Sequence, residues 1–185
     1  DLLEELRHLN HLPEIVFELL LSRSRDDDEV LSGIAFQVMG EVGPRLADDD
    51  PARVGEIVRQ LEESARTTGA TLQQKADALV ALGRIGAETS VDVLGEFTRA
   101  EEPMLRAIAI EALSSIPDDE RVLEWVRQGF REDDDEGVVV ACGQALTRLS
   151  GPELEGFLRR EFEENERPVV RAFSLIHLAG DPEDS

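Results

Sequence analysis

The chain has 185 residues and carries 41 acidic against 19 basic side chains, a formal net charge of −22. A surface this acidic repels phosphate backbones and anionic membrane, which argues against nonspecific nucleic-acid binding. The lack of any run of about twenty apolar residues argues against helical membrane insertion. The single cysteine, Cys142, allows no internal disulfide and fits a reducing, cytoplasmic setting.

In chain order, Asp1 is no natural initiator, so the sequence is expected to be processed or cut from a longer chain. Leu2, Leu3, Leu6 and Leu9 fall at helical spacing and predict the remaining helix of an incomplete or terminal repeat. An outer helix follows over about Pro13 to Ser24, with Ile15, Val16, Leu19 and Leu20 inward and Pro13 in its first turn. Asp26 to Glu29 then lead into an inner helix at 30–42, where carboxylates cap free amides and suit the positive helix end. Gly43-Pro44 is expected to stop it. Pro51 to Arg66 reads as a longer outer helix with Val54, Ile57, Val58 and Leu61 on one face, closed by the loop Thr67 to Thr71. This long first unit is read either as a plain insertion or as a partner-contacting element. Further inner helices are predicted at 72–85, 104–116, 138–149 and 169–179. Outer helices precede the last three of these at Ser90 to Ala100, Asp119 to Phe130 and Pro152 to Glu164.

The inner segments repeat one another. Aligned on Met39, Leu82, Leu113, Leu146 and Leu178, the pattern returns after 43, 31, 33 and 32 residues. Mostly small residues recur at the position of Ala109, filled elsewhere by Ala35, Ala78, Cys142 and Ser174. Small side chains let neighbouring helices approach closely, and a period in the low thirties with two helices per unit marks an array in which each unit buries its apolar face against its neighbours. The expected fold is all-α: an α-α superhelix, or α-solenoid, of about five stacked helix pairs in a single domain over residues 1–185.

Ala78-Leu79-Val80-Ala81-Leu82-Gly83-Arg84-Ile85-Gly86 and Gly180-Asp181-Pro182-Glu183 carry a pattern that resembles the HEAT-like repeat of the phycobilisome-lyase type, over roughly residues 13 to 185. The resemblance implies a scaffold or adaptor and is specific for architecture rather than activity. Deoxyhypusine hydroxylases, which resemble the repeat in fold, hold a di-iron centre with His-Glu pairs; here His8, His11 and His177 are each followed by Leu. His8 and His11 lie three apart, with no further ligand to complete a metal site, so no metal and no cofactor is expected.

Two constellations are candidates for binding. Acidic turns at Asp26 to Glu29, Glu101-Glu102, Glu132 to Glu136, and Glu163, Glu164 and Glu166 are expected along one edge, as helix caps or as a dock for a basic partner or divalent cations. On the inner helices, Ser32, Lys75, Arg106, Val139 and Arg171 share one position. Lys75, Arg106 and Arg171 there form either a basic ladder for an acidic peptide or anionic ligand, or ion pairs with adjacent repeats. Gln37, Glu111 and Gln144 share a second, exposed register beside it. Trp125 is read as core or, if exposed, as a binding anchor.

The expected function is a non-enzymatic scaffold that binds a protein or peptide on its concave face. One alternative, resting on the resemblance alone, is an accessory subunit of a phycobilin-lyase-like enzyme. Another is an inhibitor or immunity-type protein that uses the acidic rim. The acid excess, with Lys75 as the sole lysine, also points to a salt-loving source.

Overall fold

The computed structural model describes residues 13–116, 119–149 and 151–179, and these contain ten α-helices and no strand. The helix suggested by Leu2 to Leu9, the terminal Gly180 to Ser185, and His8 and His11 lie outside the described residues. The helices are α1 (Glu14–Arg23), α2 (Glu29–Leu46), α3 (Pro51–Arg66), α4 (Leu72–Ile85), α5 (Val91–Phe97), α6 (Pro103–Leu113), α7 (Glu120–Glu132), α8 (Glu136–Leu149), α9 (Leu154–Glu164) and α10 (Pro168–Leu178). Odd-numbered helices form an outer layer and even-numbered helices an inner one. Each inner helix packs on its own outer partner and on the next inner helix.

Local chemistry sets the helix ends. Asp28 Oδ1 accepts from the backbone N–H groups of Val30 and Leu31 at 2.9 and 3.2 Å, capping α2. Thr71 and Gln74 form a reciprocal capping box at the start of α4. Gly86 closes α4 at φ 66°, a left-handed conformation that glycine adopts without a side-chain clash.

Two sequence expectations change. Gly43-Pro44 does not stop α2, which runs through Pro44 to Leu46. Proline costs the helix only one backbone bond so near its end, and burial of Gly43 and Leu46 beyond the expected boundary favours continuation. On α1 the buried residues are Phe17, Leu20 and Leu21; Ile15 is 80% exposed and Leu19 about half so. Both periodicities are helical, and the position of α2 selects the face that contains Phe17.

The inner helices meet through residues without bulk. A Cβ placed on Gly40 would lie 3.0 Å from Ala81 Cα, and one on Gly83 would lie 2.7 Å from Ala112 Cα. Gly40 and Gly83 occupy equivalent positions, as do Ala81 and Ala112, so the same backbone contact joins α2 to α4 and α4 to α6. At the last interface the aromatic ring of Phe173 packs over Gly143 and meets Phe130 edge-on at 5.5 Å. Cys142 is buried between α7 and α8, and burial pushes its thiol up to about 12. A Cβ at Gly129 would lie 2.7 Å from its sulfur.

The outer helices contact one another sparsely, and arginines span the gaps. Arg53 of α3 pairs with Glu14 of α1. Arg66 of α3 donates to both carboxylate oxygens of Glu96 on α5, at 2.9 and 2.7 Å. Arg121 of α7 reaches back to Asp92 of α5 at 2.7 Å, while Arg127 and Arg131 of α7 reach forward to Glu153 and Glu161, at 3.5 and 2.6 Å. A guanidinium is long and forked, which suits this bridging better than an ammonium.

The most enclosed of these joints is Arg106–Asp133, whose side chains are only 16% and 10% exposed. Arg106 donates to both Asp133 oxygens at 2.7 and 2.8 Å and to the carbonyls of Ala100 and Glu101, each at 2.9 Å. Burial pushes the Asp133 carboxyl up, but Arg106 and the Asp135 N–H outweigh it and hold its pKa below the usual aspartate value.

Two stability predictions follow from these contacts. Gly83→Ala should destabilise the fold by about 1–3 kcal/mol because the neighbour it meets is backbone. Gly55→Ala, with nothing within 4 Å on the exposed face of α3, should instead stabilise by about 0.5–1 kcal/mol. Urea denaturation of the two variants checks the opposition of sign. Asp133→Asn should cost about 2–3 kcal/mol at neutral pH by leaving the enclosed guanidinium without its counter-charge. Because the folded pKa is depressed, that contribution is present above the ordinary aspartate value of 3.8 and fades as pH falls through the lower folded value. Wild type and variant should therefore converge in acid, and a constant difference in denaturation midpoint across pH 3 to 7 would refute the charge-based account.

Candidate interaction surface

The two layers differ in how tightly they stack. Inner helices pack closely from one repeat to the next, whereas outer helices are held apart and linked by long side chains. The inner layer is therefore the shorter, concave side. Along it, Gln37, Val80, Glu111, Gln144 and Ile176 occupy equivalent helical positions and all are exposed. One turn earlier lie Ile34, Asp77 and Ile108, and before them Val30, Gln73 and Met104.

Two open clefts lie on this row. The first, about 370 Å³, separates α2 from α4 and is walled by Val30, Ile34, Gln37, Asp77, Val80 and Arg84. The second, about 240 Å³, separates α4 from α6 and is walled by Val80, Arg84, Ile108, Glu111 and Ser115. Val80 and Arg84 form the ridge between them. Gln37 Nε2 donates to Glu41 Oε1 at 3.3 Å and Gln73 Nε2 to Asp77 Oδ1 at 2.8 Å, so these polar groups are held along their own helices. On α8 the exposed Val140 lies one turn before Gln144, and the row ends in Ile176 of α10, which is 71% exposed. The surface is thus a chain of aliphatic side chains interleaved with amides and carboxylates.

Of the sequence-selected residues, Gln37, Glu111 and Gln144 lie on this row. Lys75, Arg106 and Arg171 are not brought together on it. Their register also holds Ser32 and Val139, both buried, and faces the neighbouring repeat and the turns. The Ser32 hydroxyl accepts from Gln74 Nε2 at 2.9 Å. Arg106 has four donor contacts taken up in its joint. Lys75 is half-buried, and Arg171 is exposed with its guanidinium 5.3 Å from the Phe162 ring centre. Trp125 is half-buried: its ring packs where a Cβ on Gly95 would intrude, and Arg121 lies 5.7 Å from its ring centre. His177 is exposed and stacks on Phe173 at 5.4 Å.

The acidic turns divide between structural and free roles. Asp28, Asp133 and Asp135 accept backbone N–H bonds, whereas Asp27, Glu101, Glu102, Asp134 and Glu136 are exposed. Sequence reasoning missed the aliphatic members of the concave row, Ile34, Val80 and Ile176. For Val80 and Ile176 the available signal was their alignment with Gln37, Glu111 and Gln144, which marks a solvent-facing register even where the residue is apolar; Ile34 lies one turn before Gln37 on the same face. Among the described residues, no group of three or more His, Cys, Asp or Glu side chains is arranged to hold a metal ion, and no helix is long and apolar enough to cross a membrane.

Comparison with known proteins gives the same architecture. Residues 58–147 match the family of HEAT repeats. No curated protein matches. Among solved structures, the complex of CpcE and CpcF of phycocyanin lyase from Nostoc sp. PCC7120 is similar at TM-score 0.63 and 15% identity, covering 89% of this chain and 98% of that one. Human deoxyhypusine hydroxylase is similar at 0.54 and 16%, covering 96% and 77% of the two chains. An engineered protein matches at 0.56 and 16%, covering 96% and 87%. At such identities the likeness concerns the fold. Residues 58–147 are HEAT repeats by family match, and the likeness of fold to helical-repeat structures extends along most of the chain.

Proposed function

We propose that this chain is a non-enzymatic scaffold or adaptor that holds a protein or peptide along the concave row of its inner helices. The observation that carries the reading is the row itself: Gln37, Val80, Glu111, Gln144 and Ile176 stand exposed at equivalent positions across repeats, with the exposed Ile34 one turn before Gln37. Aliphatic side chains supply burial on contact, and the amides and Glu111 supply register through hydrogen bonds. The likeness to a structure of two proteins in complex supports a polypeptide as the partner class. The net charge of −22 supports a partner that is neutral or basic on the contacting face, and it suits a salt-rich cytoplasm.

Affinity capture at high and low salt, followed by titration of the purified partner, tests the reading. Val80→Glu combined with Gln144→Glu should weaken the partner at least tenfold while leaving the helical circular-dichroism signal and thermal midpoint within a few degrees of wild type, since both positions are exposed. Capture by the folded double variant at wild-type strength would refute the concave row as the contact surface.

A further inference from the structure

The concave row carries a pattern of charge as well as of apolar surface. The cleft between α2 and α4 offers Val30, Ile34, Val80 and Ala81 as aliphatic wall, and the cleft between α4 and α6 offers Val80, Ile108 and Ala112. Arg84 stands on the ridge between the two clefts, and Glu111 stands on the next ridge, at the far wall of the second. Both are exposed. The carboxylates of the first cleft are engaged: Glu29 accepts from the Thr71 hydroxyl at 2.6 Å and Asp77 from Gln73 Nε2 at 2.8 Å. Among the described residues, neither the Arg84 guanidinium nor the Glu111 carboxylate makes an ion pair or hydrogen bond, although they line the same cleft. From α2 towards α6 the surface therefore reads aliphatic, positive, aliphatic, negative.

We propose that this stretch of the row receives an amphipathic α-helix of the bound polypeptide, laid across α2, α4 and α6, which seats two aliphatic side chains in the clefts, a carboxylate on Arg84 and a basic group on Glu111. The inference rests on the adaptor reading above and specifies the occupant of the same surface. Packed helices lie about 8–10 Å apart, so the two clefts are separated by about that distance and each ridge stands about half of it from its cleft. A helix returns a side chain to one face about every 5 Å, and seven residues advance it about 10.5 Å. Positions i and i+7 can then fill the clefts while i+4 meets Arg84 and i+11 meets Glu111, or the same order can run in the opposite chain direction. An extended strand repeats a face about every 6.7 Å and falls out of step with the clefts. A polyproline helix advances about 9.3 Å in three residues and matches the cleft spacing, but it turns the intervening side chains away from the ridge and leaves Arg84 without a counter-charge. The remaining faces of the docked helix are free to be basic, as the net charge of −22 favours.

The test is a fluorescence-anisotropy titration with two lactam-bridged helical peptides of about 18 residues, built from alanine, glutamine and lysine around the leucine, glutamate, leucine, lysine stripe, one for each chain direction. One of the two should bind with a midpoint of about 0.1 mM at about 0.1 M salt. Exchanging its stripe glutamate and lysine, at unchanged composition, should weaken binding about fivefold, and moving one leucine to the opposite face should weaken it about tenfold. Arg84→Glu combined with Glu111→Arg, both exposed and thus safe for folding, should reverse the preference between the original and the charge-exchanged peptide. Failure of both peptides to bind at about 5 mM would overturn the proposal. So would equal binding of the charge-exchanged peptide to wild type, an unreversed preference in the folded double variant, or tighter binding of a proline-rich peptide with a leucine at every third position. If any of these results accompanied loss of the captured partner by the Val80→Glu, Gln144→Glu variant, the concave row would stand as the contact surface and only its helical occupant would fall.

Discussion

Everything in this fold depends on how closely one inner helix can approach the next. Gly40 against Ala81 and Gly83 against Ala112 bring backbone to backbone, a contact that any side chain at the glycine would prevent. Close packing on one layer with open spacing on the other makes the array curve, and the curvature leaves the far face of α2, α4, α6 and α8 lining a concave surface. At the later equivalents of Gly83, Ser114 and Thr147 replace glycine, and the ring of Phe173 bridges α8 to α10 instead. The tight approach belongs to the first three repeats, where the two clefts of the concave row also lie.

The outer layer poses the complementary problem, because helices that stand apart cannot be joined by aliphatic contact. Arginine is long enough to cross the gap, and each adjacent pair of outer helices has at least one arginine–carboxylate bridge, which in Arg66–Glu96 grips the carboxylate at two points. Individually the exposed bridges contribute little, about 0–1 kcal/mol. Arg106–Asp133 differs because both groups are largely covered and the guanidinium also holds two carbonyls, so its loss leaves more unsatisfied.

The repeat was legible in the sequence because small residues return at one position and breakers at another. Pro51–Arg66 and 72–85 were placed to the residue, since a proline begins the one and the Thr71 to Gln74 box and Gly86 bound the other. Pro44 misled because a proline punctuates a helix only when no packing lies beyond it, and Leu46 provides that packing. The concave row was only half legible for a related reason. An inner helix touches its outer partner and two inner neighbours, so apolar residues cover most of its circumference. Periodicity alone cannot then separate a Val80 that faces solvent from a Leu79 that is fully buried. The basic register is a shared position of the sequence alignment, but which way that position faces depends on the stacking angle, which sequence does not encode locally.

Charge ties the two layers together. Arg53, Arg66, Arg106, Arg121, Arg127 and Arg131 all serve joints between repeats, so much of the positive charge is spent on holding the array. The remaining carboxylates at the turns face solvent and one another. Their repulsion acts across repeats about 10 Å apart, comparable to the screening length of about 8 Å at physiological salt. The arginine bridges act over less than 4 Å and are screened much less. By this screening argument, added salt weakens the repulsion before it weakens the attraction. A partner that brings positive charge to the rim would relieve the same repulsion locally. Under the proposed adaptor function, a basic polypeptide is the partner class that these electrostatics favour.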